Sequence, residues 1–253
     1  MNLLKKSVLA TTCLFVIAGC TSKTPYTNRS QMIFMSSSEE MALGEQAYKE
    51  SLKDLKVINN TTDANRVKNI GNKIAQAANR PDFKWEFNLV QSDQANAFCL
   101  PGGKVVVYTG ILKYAKNDSQ LATVMSHEVA HALARHGAER MSQAQIQQGL
   151  GVVGSIAVGS TAPQFQNLFN QAYGLSSNLG VMLPYGRLQE SEADEIGVYL
   201  MHKAGYNINE AVNFWQNMSE GKDGGSDFFS THPSSSKRVE DIKKVIAKIN
   251  SGK

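Results

Sequence analysis

The amino-acid sequence predicts an α+β fold that is mostly helical and contains one small β-sheet. Apolar residues recur at helical spacing before residue 80 and again after Asp118, whereas residues 84–91 alternate apolar and polar side chains, as strands do. The chain has 253 residues, 42% of them apolar, so it can bury the core of a globular domain. Its net charge is only +4 and its basic residues are scattered, which argues against a nucleic-acid-binding protein.

The N-terminus resembles the signal peptide of a bacterial lipoprotein. Lys5 and Lys6 precede an apolar run at residues 7–18, which is too short to span a bilayer. The run ends in the sequence IAGC, which is similar to a lipobox, so we expect residues 1–19 to be removed and Cys20 to receive lipids. Several acyl chains would hold the protein stably at a membrane. An ordinary signal peptide or a buried hydrophobic helix is the alternative.

The residue after Cys20 bears on which membrane the lipid would enter. Thr21, rather than Asp, resembles lipoproteins sorted to the outer membrane of Gram-negative bacteria, so we expect a lipid-anchored protein on its periplasmic face. A Gram-positive host would place it at the cell-surface membrane. Removal of the signal peptide takes two lysines and lowers the net charge from +4 to +2. It also leaves Cys99 as the single free thiol, so no internal disulfide is expected.

The chain after the signal peptide is expected to form one domain behind a short tether. Residues 20–36 are mostly polar and indicate a lipidated tether, and residues 37–250 carry the patterns of the domain. Residues 149–162 are apolar and rich in small side chains, which fits either a buried helix or a membrane-contacting surface. Residues 163–187 are rich in Asn, Gln, Ser and Gly and predict a mobile loop region.

Local signals define the first helices and strands. Ser36 and Ser37, each followed three residues later by a glutamate, resemble capping boxes and predict a helix to about residue 56. A second helix is predicted after Thr62, where apolar side chains recur at helical spacing. A pair of glycines predicts a turn between the last two of three strands, which we place at residues 84–91, 95–100 and 104–109.

The strongest chemical signal is the sequence HEVAH at residues 127–131. Its apolar surroundings predict a helix, on which His127 and His131, four residues apart, share one face and can bind the same metal ion. Glu128 lies one step around the helix, where it can accept a proton from water at the metal without binding the metal. The motif therefore predicts a zinc site with Glu128 as the general base.

A zinc hydrolase generally needs a third protein ligand. His136 lies nine residues after His127, about half a turn away around a helix, so we expect it to point elsewhere, as a helix C-terminal residue favoured by the dipole. Glu190, at the start of the sequence ESEAD on a predicted helix, is the better candidate. Asp194 shares its face and would orient a ligand histidine, whereas Glu192 is expected to be solvated.

Together, HEVAH and ESEAD resemble the paired motifs HExxH and ExxAD of the family-48 gluzincin zinc metallopeptidases, which include HtpX and the CAAX prenyl proteases. The lipobox and the short length are similar to the bacterial lipoprotein branch of that family, with LoiP, BepA and the Oma-type proteases. The resemblance runs from about Arg29 to Val245.

The resemblance implies a zincin-like metalloprotease domain with the small β-sheet beside the HExxH helix. It assigns one zinc ion per chain to His127, His131 and Glu190 and makes Glu128 the general base. The sequence THP around His232 is similar to a late motif of the family. His232 would act near the metal, either by stabilising the oxyanion of the reaction or by blocking the site as a fourth ligand.

The resemblance also singles out the residues before Cys99. Asn96, Ala97 and Phe98 resemble the strand that borders the active-site cleft in this family and would align a substrate as an added strand. Cys99 departs from the usual pattern, in which a small residue follows. It would be either a small buried apolar residue or a thiol that binds the zinc and silences the enzyme.

These features predict a zinc-dependent endopeptidase that is anchored as a lipoprotein in the bacterial envelope and degrades misfolded or unassembled envelope proteins. Its partners would be those unfolded substrates and, through the lipid, the membrane, with no nucleic acid. The alternative is a lipoprotein chaperone or assembly factor for outer-membrane proteins with little proteolysis. The intact Glu128 argues against that alternative, because only catalysis requires it.

Overall fold

The computed structural model describes residues 21–147, 163–173, 175, 186–220, 226–233 and 237–252. The predicted signal peptide, the lipidation site Cys20 and the apolar segment at residues 149–162 lie outside these ranges and stay predictions. Inside them, no helix combines the length and the apolar character that crossing a membrane requires.

The described chain begins with a β-hairpin. Strands β1 (Thr21–Lys23) and β2 (Ser30–Met32) pair in antiparallel register, and the residues after β2 bury Ile33 and Met35 in an apolar cluster. The sequence predicted a tether here, but this segment packs on the domain. The reason is that its apolar side chains enter the core while Arg29 forms ion pairs with two buried glutamates.

The two predicted N-terminal helices are present. Helix α1 (Ser37–Asp54) begins at a capping box, in which the Ser36 hydroxyl accepts a hydrogen bond from the Glu39 backbone and the Glu39 side chain accepts one from Ser36. Strand β3 (Val57–Ile58) leads to helix α2 (Thr62–Ala78), which buries an apolar face against the sheet.

The predicted β region adds three strands to β3, namely β4 (Glu86–Val90), β5 (Ala97–Leu100) and β6 (Lys104–Tyr108). In this sheet the strand order is β3-β4-β6-β5, with β4 parallel and β5 antiparallel to β6. The hairpin between β5 and β6 turns at Gly102 and Gly103, whose φ values of 83° and 85° favour glycine. Because β5 comes last in the strand order, it is an edge strand of this sheet within the described chain.

The rest of the described chain is mostly helical. A 3-10 turn (Thr109–Lys113) leads to helix α3 (Asp118–Leu133), which carries HEVAH and is buried along nearly its whole length. The helices that follow are α4 (His136–Gln147), α5 (Pro163–Ala172), α6 (Arg187–Lys203), α7 (Glu210–Glu220), α8 (Ser226–Thr231) and α9 (Arg238–Asn250).

One prediction in this part of the chain is wrong. The polar composition of residues 163–187 predicts a loop, but its first ten residues form α5. Leu168, Phe169 and Ala172 recur at helical spacing and are buried, so apolar periodicity outweighs the polar composition.

Close packing of α6 on α3 positions the functional side chains. A Cβ atom at Gly197 of α6 would lie 3.2 Å from the backbone nitrogen of His127 on α3. The glycine therefore allows the two backbones to approach, and the acidic residues of α6 come to lie beside HEVAH. The predicted fold class, a mostly helical α+β domain with a small sheet beside the HExxH helix, is confirmed.

Candidate active site

Two histidines of α3 form the centre of the site. His127 Nε2 and His131 Nε2 are 3.1 Å apart, and both side chains are buried. The rings face the same way because four residues span about one turn of a helix.

Glu190 of α6 and His232, which follows α8, complete the group. Glu190 Oε1 lies 3.3 Å from His131 Nε2, and Glu190 Oε2 lies 3.5 Å from His127 Nε2. His232 Nδ1 is 3.1 Å from Glu190 Oε1 and 3.4 Å from His127 Nε2. Among the described residues, these four offer buried ligand atoms that all lie within 4.8 Å of one another.

Glu128 lies beside this group, on the far side of His232. Its Oε1 is 3.5 Å from His232 Nε2 and accepts no hydrogen bond within the described structure. The His232 ring thus lies between the ligand group and Glu128, and Phe228 stacks on it with ring centroids 4.3 Å apart.

The donor set fits a zinc ion. Two histidines and a glutamate are an established zinc ligand set, and Zn–N bonds of about 2.0–2.1 Å in a tetrahedral site separate two nitrogen ligands by roughly 3.3 Å. The 3.1 Å between His127 Nε2 and His131 Nε2 is close to that separation. Glu190 Oε2 is buried and lies 3.2 Å from Arg238 Nη2, so positive charge already faces this carboxylate.

Burial and neighbouring charges set the protonation of these groups. Burial opposes the charge on Glu190, but His232, His127 and His131 outweigh it and hold the pKa of this carboxyl well below its usual range. Burial lowers the pKa of His131 well below its ordinary value and raises the pKa of Glu128. The carboxylate of Glu190 and the neutral imidazole of His131 are forms that bind metals, and a raised pKa suits a glutamate that exchanges protons.

Asp194 contacts His127 at Nδ1, away from the ligand group, whereas Arg238 Nη2 lies 3.2 Å from both ring nitrogens of His127. Asp194 Oδ1 lies 3.0 Å from His127 Nδ1, so an N–H donated there leaves the Nε2 lone pair for a metal. Arg238 of α9 donates to the two Asp194 oxygens at 2.6 and 2.9 Å and stacks over Trp215. Sequence reasoning missed Arg238, because no motif marks a lone arginine 44 residues after Asp194.

His136 has a different role from the predicted one. The spacing argument assumes a continuous helix, but α3 ends at Leu133, Arg135 takes a left-handed φ of 56°, and His136 begins α4. The chain therefore turns back and places His136 Nδ1 2.9 Å from His131 Nδ1. The expectation that His136 is not a ligand agrees with the ligand group, whereas its assignment to a helix C-terminus is wrong.

Glu192 is predicted to be solvated, and this is also wrong. Its side chain is buried, with Oε2 3.0 Å from His136 Nε2. It accepts hydrogen bonds from Thr24, Thr27 and Arg29 of the N-terminal hairpin. Burial raises its pKa, but these donors and His136 outweigh burial and lower the pKa to about 2. The donors in the hairpin are more than 160 residues away in sequence, so no local pattern reveals them.

The predicted substrate strand lies at the edge of the sheet beside α3. Asn96 directly precedes β5, and among the described residues Ala97 and Phe98 pair with β6 alone. Cys99 is buried in the apolar core, and burial raises the pKa of its thiol well above the ordinary value. The ligand group found among the described residues does not include Cys99, so the thiol packs as an apolar side chain there.

Known proteins resemble this chain over most of its length. Residues 61–246 match the model of Peptidase family M48. The mitochondrial metalloendopeptidase OMA1 of Saccharomyces cerevisiae is 33% identical over 250 residues, covering 90% of this chain and 70% of that protein. OMA1 of Schizosaccharomyces pombe is 35% identical over 226 residues, covering 86% and 64%.

A bacterial relative is covered to a smaller extent. The beta-barrel assembly-enhancing protease of Escherichia coli K12 is 27% identical over 215 residues, covering 83% of this chain and 44% of that protein. The chain thus spans about two thirds of the two fungal relatives and less than half of the bacterial one.

Proposed function

The chain belongs to peptidase family M48 and is a zinc metalloendopeptidase, and on this premise we propose that it acts as a lipoprotein of the bacterial envelope. We propose that its substrates are misfolded or unassembled envelope proteins. The lipobox-like sequence before Cys20 supports the anchor. Relatives in Yersinia pestis and Escherichia coli named beta-barrel assembly-enhancing proteases support a role in the envelope.

The observation that carries the catalytic assignment is the buried ligand group beside Glu128. We propose that His127, His131 and Glu190 hold the zinc, which when bound polarises the substrate carbonyl and promotes ionisation of water. Glu128 accepts a proton from the attacking water while the new C–O bond forms. It then delivers that proton to the amine nitrogen as the C–N bond breaks.

We propose that Asp194 and Arg238 are positioning residues for His127. The carboxylate of Asp194 orients the imidazole, and the two hydrogen bonds from Arg238 hold that carboxylate in place. Neither side chain needs to contact the substrate.

His232 has two candidate roles, and the arrangement favours blocking over oxyanion stabilisation. Its Nδ1 lies 3.1 Å from Glu190 and its Nε2 lies 3.5 Å from Glu128, and we propose that the ring occupies the space in which water and the scissile carbonyl would react. We propose that this is a resting state, and that the His232 ring must move before a peptide can bind.

We propose that β5 aligns the substrate as an additional strand. An edge strand offers unpaired backbone groups to an extended segment, and such pairing reads the backbone rather than particular side chains. This would suit an enzyme that acts on many unfolded proteins.

The proposed catalysis is tested with the full chain purified in detergent. Wild type and Glu128→Gln should bind zinc equally, and the variant should lose at least about 100-fold in the rate of casein cleavage, because it lacks the proton acceptor. Glu190→Ala should lose zinc affinity, whereas Glu195→Ala on the same helix should keep it. If the wild type binds zinc but cleaves nothing, even after His232→Ala, the chaperone alternative is favoured.

The lipid anchor is tested separately in cells. Wild type should incorporate labelled palmitate and sediment with outer membranes, and Cys20→Ala should do neither. Equal membrane association of both chains would contradict the proposed anchor.

A further inference from the structure

A buried chain of polar side chains leads away from the ligand group toward the N-terminus. His131 Nε2 faces the ligand group, and His131 Nδ1, on the other side of the ring, lies 2.9 Å from His136 Nδ1. His136 Nε2 in turn lies 3.0 Å from Glu192 Oε2. All three side chains are buried, so bulk water does not substitute for these contacts.

We propose that the N-terminal hairpin, residues 21–32, is a positioning element of the zinc site, which fixes the imidazole of His131 through Glu192 and His136. The proposal rests on the zinc-peptidase function above. It concerns how the ligand is held and not which residues are ligands.

The hydrogen-bond chemistry of the chain points in one direction. The hydroxyls of Thr24 and Thr27 donate to Glu192 Oε1, and Arg29 Nε donates to Glu192 Oε2 at 2.7 Å. An ionised carboxylate only accepts, so His136 Nε2 must donate to it.

The direction of donation to Glu192 also fixes the direction of the hydrogen bond between the two histidine rings. A neutral His136 that donates from Nε2 accepts at Nδ1, and the donor must therefore be the Nδ1–H of His131. This tautomer of His131 leaves the lone pair of its Nε2 directed at the ligand group, which is the form that binds zinc.

The hairpin also holds together the two helices that carry this chain. Arg29 donates to Glu139 of α4 from both terminal nitrogens, at 2.7 and 2.8 Å, and to Glu192 of α6 from Nε. The two buried carboxylates thus pair with the same partly exposed guanidinium. Gln31 adds a hydrogen bond of 2.9 Å to the carbonyl of Ala134, in the turn that directs His136 back toward His131.

The arrangement connects the proposed membrane anchor with the metal site. The hairpin begins at Thr21, directly after Cys20, so little chain separates the proposed lipid from residues that hold a zinc ligand. A displacement of the hairpin would break hydrogen bonds to Glu192 before it altered the position of any zinc ligand.

The test measures the zinc dissociation constant of the full chain in detergent by competition with a chelator. His136→Phe, which fills the space but removes the hydrogen bonds to His131 and Glu192, should weaken zinc binding by about 10–100-fold. Arg29→Ala should weaken it in the same direction by a smaller factor. Lys23→Ala is the matched control, since the exposed Lys23 side chain donates to Ser30 within the same hairpin, so this variant should bind zinc as the wild type does.

A double variant tests whether Arg29 affects zinc binding through His136 or independently of it. If the hairpin acts through His136, Arg29→Ala should add no further loss of zinc affinity in the His136→Phe background. Full additivity of the two losses would overturn the proposal.

A spectroscopic measurement excludes a merely structural role. With Co²⁺ in place of zinc, the visible bands should change in Arg29→Ala and Glu192→Gln and stay unchanged in Lys23→Ala. Lower thermal stability with unchanged metal affinity and unchanged bands would overturn the proposal. If His136→Phe does not fold, Glu192→Gln and Thr24→Val decide by the same criteria.

The two failures can be distinguished. Variants that bind zinc as tightly as a zinc-binding wild type would overturn this inference alone. A wild type that binds no zinc would overturn the proposed metal site and this inference with it.

Discussion

The two histidines of HEVAH occupy one face of one helix, yet different parts of the chain hold them. Asp194 and Arg238 support His127, and Arg238 is enclosed between α6, α7 and the site. His136 and Glu192 support His131, and their contacts end at the partly exposed Arg29 of the hairpin.

The difference concerns what each support contributes. A charge pair enclosed in the core cannot be broken without leaving the other charge buried, so the support of His127 is part of the stability of the fold. The support of His131 reaches the surface, where water can replace part of a lost contact. We therefore expect substitutions in the support of His127 to lower the stability of the fold. Substitutions in the support of His131 should weaken metal binding first.

Removal of Arg238 should have the largest effect on stability. Arg238→Ala leaves Asp194 buried and uncompensated, and should lower the free energy of unfolding of the zinc-free protein by about 3–5 kcal/mol. Urea denaturation measures this loss, and Lys244→Ala on the exposed face of α9 should change stability little. A loss below about 1 kcal/mol for Arg238→Ala would remove the distinction between the two sides.

The next effect concerns metal binding on the His127 side. Asp194→Asn keeps the size of the side chain but removes the charge that faces His127 and Arg238, and should weaken zinc binding by about 10–100-fold. Chelator competition measures the dissociation constant, with Glu195→Gln on the same helix as the control. Unchanged affinity would mean that Asp194 serves only to pair with Arg238.

A substitution at the contact between α3 and α6 should affect the supports of His127 and His131 together. Ala at Gly197 brings a Cβ atom to 3.2 Å from the His127 backbone, and such crowding costs about 1–3 kcal/mol. The helix gains only about 0.5–1 kcal/mol from replacing glycine with alanine, so we expect a net loss of roughly 1 kcal/mol.

Gly186→Ala provides the comparison, since an added Cβ there meets no atom within 4 Å. Its unfolding midpoint in urea should stay near that of the wild type. A stabilised Gly197→Ala chain would show that α6 can move away from α3 without cost.

The smallest effect is expected at Cys99, which belongs to neither support. Cys99→Ala should leave the zinc dissociation constant unchanged, because the thiol is buried away from the ligand group found in the described structure. Its raised pKa and burial should also make Cys99 react with a thiol reagent only after denaturant is added, with Cys99→Ala as the reference. Loss of zinc from Cys99→Ala would identify the thiol as a ligand.

Much of the site was predictable because its signals are local. The four-residue spacing of His127 and His131 places them on one helix face wherever that helix lies, and the same holds for Glu190 and Asp194. The capping box at Ser36 and the alternation before β4 define their elements in the same way.

The errors arise where distant contacts outweigh a local pattern. His136 was assigned by extending a helix that a left-handed Arg135 interrupts. The prediction that Glu192 is solvated follows from its position off the helix face of Glu190 and Asp194, but its donors lie in a hairpin at the other end of the chain. Helix α5 was overlooked because polar residues are numerous between its buried positions.

The chain's local patterns thus account for the helix that carries HEVAH, the candidate ligands and the family, since each depends on residues a few positions apart. Packing in three dimensions accounts for the supports of those ligands. The outer nitrogens of His127 and His131 meet groups that are brought in from α6, α9 and the N-terminal hairpin. Such contacts depend on how helices approach one another, which here requires the absence of a side chain at Gly197.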